Sequence, residues 1–468
     1  MFWSSLEGFG VKGIGFLSQI ILARILLPSD FGLIAMIAVF IGIGDLIADS
    51  GLGQSLIRNK NSLASDFSSV FYLNILLGLL VYLSIYFIAP FVAIFYEKQQ
   101  LTLILRVMAL AIPFGSFSII QKVKLTIKLN FKKIMLIQLV AVGVSSFLGV
   151  VLAYIDYGVW AIVFLKITYP FLSSLLYWID NKWKPSLVFD IKKIKYHYNF
   201  GVKIMLTYII NSLFNDIYSV IIGKFYALDT LGFYNRARTF QNFPVVLVGS
   251  SLNKITYPLF SQVRDNKQQL KSIVRKINKL FIFLFIPFGF FLIFNAETMI
   301  GLVLGDKWLS ITPFFKILLF GSLFYPVAYY NTSIINAFGD PGLILNFTII
   351  SRIFSVIGLF FIASFGVYPI LVFQSFNLFL MSILYVYFGG LKIEYKFFKQ
   401  VKDVLPELGL VTLLVIIIHT INGLFGMEGI TYSISFIILY AMLFIAISEL
   451  LKIKTYLYIK NTVMKLFK

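Results

Sequence analysis

Fourteen apolar runs, each about long enough to cross a lipid bilayer, constrain this 468-residue chain more than any other feature. They fall near 11–28, 31–51, 69–96, 101–121, 134–155, 157–180, 204–227, 231–258, 279–294, 313–338, 342–364, 367–390, 406–424 and 430–451. A hydrocarbon core of about 30 Å takes roughly 20 residues of helix. Every backbone polar group within it must be paired inside the protein, which for such runs means α-helix. Composition agrees, with 59% hydrophobic and 13% charged residues and a mean hydropathy of +0.91, where soluble domains carry about 25% charged residues. The expectation is an all-α integral membrane protein of about 14 transmembrane helices, with no sizeable soluble domain. Pro90, Pro113, Pro244, Pro287 and Pro326 fall inside runs and predict bent helices.

The net charge of +20 would suggest nucleic acid in a soluble protein, but its distribution reads as membrane topology. Lys and Arg collect in alternate loops: Arg58 and Lys60, then Lys122 to Lys133, Lys182 to Lys203, Arg264 to Lys279, and Lys392 to Lys402. The tail adds Lys452, Lys454, Lys460, Lys465 and Lys468, whereas the opposite loops hold only Lys98 and Lys307. Fourteen spans with both termini cytoplasmic is the arrangement that segregates this charge. The opening Met1-Phe2-Trp3-Ser4-Ser5 lacks the positive region of a removable signal, so the first span is expected to direct insertion. Cysteine is absent, and the two histidines, His197 and His419, lie far apart, so no disulfide framework or metal-ligand cluster is expected.

Basic loops after six and after twelve spans divide the chain. The expected segments are a six-helix lobe at 1–182, a basic linker at 183–203, a second six-helix lobe at 204–391, a basic loop at 392–405, two accessory helices within 406–451 and a basic tail at 452–468. Ile21 to Leu52 aligns without gaps to Ile221 to Leu252, matching Ile21/Ile221, Arg24/Lys224, Gly32/Gly232, Phe40/Phe240, Ser50/Ser250 and Leu52/Leu252. Each segment opens its own six-helix unit, and internal repeats of this kind are a common building plan for transporters.

The stretch from Gln19 through Pro28-Ser-Asp-Phe-Gly32, followed by Asp49-Ser-Gly-Leu-Gly-Gln-Ser-Leu-Ile-Arg58, resembles the start of Wzx-type polysaccharide flippases, members of the multidrug/oligosaccharidyl-lipid/polysaccharide exporter superfamily. Phe117-Ser-Ile-Ile-Gln-Lys122, Asp156-Tyr-Gly-Val-Trp-Ala161 and Leu231-Gly-Phe-Tyr-Asn-Arg236 extend the resemblance over at least the first half. Members usually carry a longer basic segment before the Trp-Ser pair, whereas this chain begins almost at Trp3. The resemblance implies two pseudo-symmetric six-helix lobes around a central cavity that opens alternately to each side, plus two accessory helices. It implies outward movement of undecaprenyl-diphosphate-linked oligosaccharides across the bacterial cytoplasmic membrane for surface polysaccharide, such as O-antigen, with polymerase and export machinery as partners and no nucleic acid.

Charges inside spans carry the chemistry, since each costs about 2.5–3.5 kcal/mol at a helix centre and normally faces protein or water. Arg24, Arg106, Lys166, Lys224, Arg236, Lys254 and Arg352 are the candidates for a cavity that receives a diphosphate. Arg236 and Lys254, eighteen residues apart and so on one helix face, are favoured. Arg24 and Lys224 stand near span ends, where snorkelling to head groups is the structural alternative. Asp45 and Asp49, one turn apart, and Asp216 are candidates to bind a coupling proton or sodium ion, with a salt bridge as the alternative. No other cofactor is expected. No Gly-x-x-x-x-Gly-Lys-Ser/Thr loop occurs, so energy must come from a gradient or a partner. A membrane polymerase or ligase would need a large outer loop, yet the connection at 295–312 holds only Glu297, Asp306 and Lys307 as charges. A drug/cation antiporter of the same superfamily would favour carboxylates over this cationic excess.

Overall fold

The computed structural model describes residues 2–59, 62–181, 183–427, 429–453, 455–458 and 460–461, with side chains at 2–9, 200, 246–248, 250–251, 253–255 and 341 also outside the described set. Lys60, Lys182, Lys454, Lys465 and Lys468 of the basic loops and tail lie outside the described residues. Every described element is helical. The chain packs as two units, Met1–Asn235 and Arg236–Lys468.

The first unit holds α1 (Phe2–Ile25), α2 (Pro28–Asp49), α3 (Leu52–Arg58), α4 (Ala64–Tyr96), α5 (Gln100–Met108), α6 (Ala111–Ser116), α7 (Ile119–Ile127), α8 (Phe131–Tyr154), α9 (Val159–Asp180), α10 (Ile191–Phe225) and the start of α11 (Leu228–Val263). The rest of α11 opens the second unit. There follow α12 (Lys267–Phe294), α13 (Ala296–Leu304), a 3-10 turn (Asp306–Ile311), α14 (Thr312–Ser322), α15 (Tyr325–Ala337), α16 (Pro341–Ile362), a second 3-10 turn (Ala363–Phe365), α17 (Val367–Lys392), α18 (Phe397–Leu424) and α19 (Gly429–Leu450). Twelve spans are long and apolar enough to cross a membrane among the described residues. The other two expected runs lie on α1 and α11. The latter is long, but carries Asp229, Arg236, Arg238 and Lys254.

Local signals set the helix starts. Pro28 takes the first position of α2, where its missing N–H is no loss, and Asp30 accepts the Leu27 N–H at 3.0 Å. Asp66 accepts the Leu63 N–H at 2.8 Å to start α4. Asn130, Asp190 and Asn266 cap α8, α10 and α12 with their side chains. Consecutive left-handed residues, Ser50 at φ 50° and Gly51 at φ 64°, end α2 and set off α3. The chain remains helical through Pro90, Pro244 and Pro287, whereas the span holding Pro113 is broken into α5, α6 and α7.

Much of the basic sequence expected as loop is helix. The segment read as a linker at 183–203 is helical from Ile191, because Asp190 Oδ1 accepts the backbone N–H groups of Lys192 and Lys193 at 2.9 and 3.3 Å. At 35 residues α10 is about 52 Å long, so it outreaches a 30 Å hydrocarbon core and carries its lysines into the aqueous margin. The border between units also falls inside α11, not in the linker. Within the first unit α10 packs on α2, α3 and α4, while α1, α8 and α9 form a second packed layer.

Candidate functional site

Helix α2 presents two faces. Met36, Ile37, Ile41, Gly44 and Ala48 are buried, whereas Ala38, Gly42, Asp45 and Asp49, spaced four, three and four residues apart, follow one another along the opposite side. Asp45 is exposed and Asp49 half-buried. Lys166, exposed on α9, acts electrostatically on Asp45, and Lys122, exposed on α7, acts on Asp49. Two carboxylates and two lysines from three helices therefore make one charged region that runs from span depth at Asp45 to the end of the span at Lys122. Such a region suits a water-filled path, since exposing it to hydrocarbon would carry the full insertion cost of each charge.

Beside this region α10 runs antiparallel along α2, and the approach is set by glycines. At one end a Cβ on Gly32 would fall under 3.0 Å from the Leu228 carbonyl oxygen, and a Cβ on Gly232 equally close to that of Pro28. The two contacts mirror each other at an offset of 200 residues, and the helix ends share that offset: α1 and α10 end at Ile25 and Phe225, α2 and α11 begin at Pro28 and Leu228. In the middle a Cβ on Gly42 would stand 3.8 Å from Ser212 Oγ. At the far end a Cβ on Gly51 would lie 2.6 Å from the Gly201 carbonyl oxygen, and one on Gly201 2.6 Å from that of Ser50. The repeat alignment had matched Gly32 with Gly232, but alignment could not reveal that the pair marks a contact.

One turn before Gly201, His197 is fully buried. Its Nδ1 shares a hydrogen bond of 2.8 Å with Ser55 Oγ of α3, and its Nε2 lies 3.4 Å from Asp66 Oδ1 of α4. Lys193, one turn earlier on α10, donates to Asp66 Oδ2 at 3.3 Å and to Ser65 Oγ. This cluster ties α10 to α3 and α4 and escaped sequence reasoning, because its members are about 130–140 residues apart.

The remaining predicted residues are dispersed. Arg24 is exposed on the last turn of α1. Arg106 donates from Nε to the Tyr86 carbonyl at 3.1 Å and lies 4.0 Å over the Tyr86 ring, which joins α5 to α4. Lys224 donates to Glu97 Oε1 at 2.8 Å, and this hydrogen bond and charge hold the Glu97 carboxyl below the usual carboxylate range. Asp216 is half-buried on α10. In the second unit Arg236 is only 8% exposed. Lys254 belongs to α11, but its side chain lies outside the described residues. Arg352, mid-way along α16, acts by its charge on Tyr325 and Tyr385 of the flanking α15 and α17. Among the described residues no group of three or more His, Asp or Glu side chains could hold a metal ion.

Comparison with known proteins places this architecture. The family described as polysaccharide biosynthesis protein matches residues 21–313. The teichuronic acid biosynthesis protein TuaB of Bacillus subtilis (strain 168) is 24% identical over 276 residues, 58% of this chain and 57% of its own. The succinoglycan biosynthesis transport protein ExoT of Rhizobium meliloti (strain 1021) is 24% identical over 65% of this chain and 62% of its own. The lipopolysaccharide biosynthesis protein WzxC of Escherichia coli (strain K12) is 23% identical over 68% and 65%. The chain thus spans less than two thirds of the length of these relatives. The lipid II flippase MurJ, in an inward closed conformation, shares the fold with a TM-score of 0.77 at 15% identity, over 96% of this chain and 99% of its own. An inward-facing multidrug resistance MATE family transporter shares it at 0.62 and 14% identity, over 81% and 94%. The many spans and these relatives make this a multi-pass protein of the bacterial inner membrane. The fold is thus one that a flippase and a multidrug transporter of known structure share. With residues 21–313 matched, the chain belongs to the polysaccharide biosynthesis protein family, as its resemblance to Wzx-type flippases led us to expect.

Proposed function

We propose that this protein is a flippase that carries undecaprenyl-diphosphate-linked oligosaccharide units from the cytoplasmic to the outer leaflet by alternating access, through fourteen spans with both termini in the cytoplasm. The observation that carries the reading is the mirrored pair of backbone contacts at Gly32 and Gly232, where corresponding helix starts of two sequence repeats close on each other. Such a contact is either made or broken, which is what a gate between two rocking repeats requires. The charged region on α2 and α9 supplies polar surface at membrane depth, and the buried Arg236 and the half-buried Arg352 supply cations for phosphate oxygens.

The energetics fit without ATP. Moving about two negative charges outward down a cytoplasm-negative potential gains roughly 4–5 kcal/mol per 100 mV, at about 2.3 kcal/mol per charge. Asp45 and Asp49, accessible and one turn apart, then suit a proton or sodium ion that resets the empty carrier. The same carboxylates favour a second reading, an ion-coupled drug antiporter on this fold.

Translocation of a fluorescent undecaprenyl-diphosphate oligosaccharide in proteoliposomes separates the two. The flippase reading expects transport that quickens with an outside-positive potential and falls in Arg236→Ala. No lipid-linked transport under any gradient, with drug efflux intact, establishes the antiporter instead.

A further inference from the structure

A cleft of about 230 Å³ opens in the second unit between α17 and α18, floored by α12 and α15. It exceeds the roughly 150 Å³ apolar cavity that takes a benzene ring. On α18 its wall is the stripe Phe397, Gln400, Val401, Val404 and Leu408, one helix face; α17 adds Phe379 and Val386. The few polar side chains along it are largely engaged within the protein, with Gln400 Oε1 buried and unpartnered. Tyr330 donates its hydroxyl to Asn278 Oδ1, Gln400 Nε2 donates to the carbonyls of Val386 and Tyr395 at 3.2 and 2.7 Å, and Ser382 Oγ donates to that of Leu378 at 3.0 Å. A sugar or phosphate entering here would lose hydration with little in return. A hydrocarbon chain would lose nothing.

Its length and rim narrow the occupant. From Phe397 to Leu408 the wall runs about 16 Å, half of a 30 Å hydrocarbon core, so the cleft is one leaflet deep and a long polyprenyl tail would overrun it. Lys396 is exposed beside the shallow end of this stripe, and Lys399 and Lys402 are exposed on the other side of the first turns of α18. The two segments bordering the rim, 264–279 and 392–403, together hold ten Lys and Arg against three carboxylates. Arg275 pairs with Asp403 at 2.5 Å and Lys279 with Glu407 at 2.6 Å, which pins α12 to α18 and holds the cleft's floor in place.

We propose that this cleft seats an acyl chain of an anionic membrane phospholipid whose head group is drawn to the basic rim formed by segments 264–279 and 392–403. The proposal rests on the fourteen-span orientation only in placing that lipid in the cytoplasmic leaflet. Its readouts are of binding, so it stands or falls apart from the flippase reading.

The full-length protein would be titrated with phosphatidylglycerol or phosphatidylcholine and the retained lipid counted by native mass spectrometry. Phosphatidylglycerol should be retained over phosphatidylcholine. At roughly five-fold per lysine at a charged surface, the Lys396→Gln/Lys399→Gln/Lys402→Gln variant should weaken that retention more than ten-fold. Val404→Trp, which fills the cleft, should weaken retention of both lipids. A second measurement avoids variants that fail to fold. The chain has no cysteine, so Val401→Cys provides a unique thiol on the cleft wall, and its alkylation should slow at least five-fold in phosphatidylglycerol nanodiscs relative to phosphatidylcholine. Equal retention and equal alkylation in the two lipids overturn the proposal. Protection by undecaprenyl phosphate but not by phosphatidylglycerol also overturns it and gives the cleft to the carried lipid.

Discussion

Replacing Gly232 by Ala tests the gate where it is tightest. The added Cβ would meet the Pro28 carbonyl oxygen and carbon well inside 3.0 Å, and both are backbone atoms at the first position of α2 that cannot swing aside as a flexible side chain would. The closed contact must open or strain. Overpacking of this kind costs about 1–3 kcal/mol, and if it falls only on the closed state it shifts the open–closed balance by about 5–150-fold. Met36 reports the shift. It is 2% exposed, lies beneath the seam against Gly223, and as Met36→Cys would be the sole thiol in the chain. In intact cells a membrane-impermeant maleimide should label Met36→Cys slowly, and at least five times faster when Gly232→Ala is added. Gly32→Ala, whose Cβ would strike the Leu228 carbonyl, should do the same, and the two changes together should be less than additive because both open the same contact. Gly143→Ala on α8 is the control, with nothing within 4 Å of its added Cβ. Unchanged labelling in Gly232→Ala with normal membrane insertion, or equal acceleration by Gly143→Ala, refutes the reasoning.

Other perturbations probe single links. Asp45→Asn with Asp49→Asn and Asp216→Asn should abolish any dependence of transport on a proton or sodium gradient while leaving the dependence on potential, read in proteoliposomes under each gradient alone. Arg236→Ala removes a buried cation whose hydrogen bonds to an anionic substrate would be worth about 1.5–3 kcal/mol, so transport at low substrate should fall about 10–150-fold with insertion unaffected. His197→Ala leaves the buried Ser55 hydroxyl and Asp66 carboxylate short of a partner, at a cost of about 1–3 kcal/mol; a lower thermal unfolding midpoint in detergent checks it. Because Lys224 depresses the Glu97 carboxyl, the stabilisation from that pair is full above the usual carboxylate range and is lost as pH falls through the lowered value. Lys224→Gln should therefore flatten the acid limb of a stability–pH curve.

The bilayer explains both what could be read from the sequence and what could not. Its thickness forces apolar runs of one length and its charge asymmetry sorts Lys and Arg, so the runs on α4, α8, α9, α17 and α19 were legible to within a few residues at most ends. The same physics leaves helix beyond the hydrocarbon unmarked, which is why α10 begins at Ile191, inside a segment that reads as linker from its lysines. It also leaves the rotation of each helix unmarked. A charge at span depth is conspicuous by its cost whichever way it faces, yet the outcomes differ: Arg106 is spent on the ring and carbonyl of Tyr86, Lys224 on Glu97, while Lys166 acts by its charge on Asp45 from a neighbouring helix. Distinguishing them needs the register of α2 against its neighbours, and against α10 and the start of α11 that register is set by Gly32, Gly42, Gly51 and Gly201, residues whose role is to have no side chain. In a chain this apolar, packing is decided where side chains are missing, because lipid competes with protein for every apolar surface and only close backbone approach tips the balance. Glycines that recur at the repeat offset are therefore better guides to moving surfaces here than charges are, and the pair at 32 and 232 ranks ahead of any lysine or arginine as the first position to mutate.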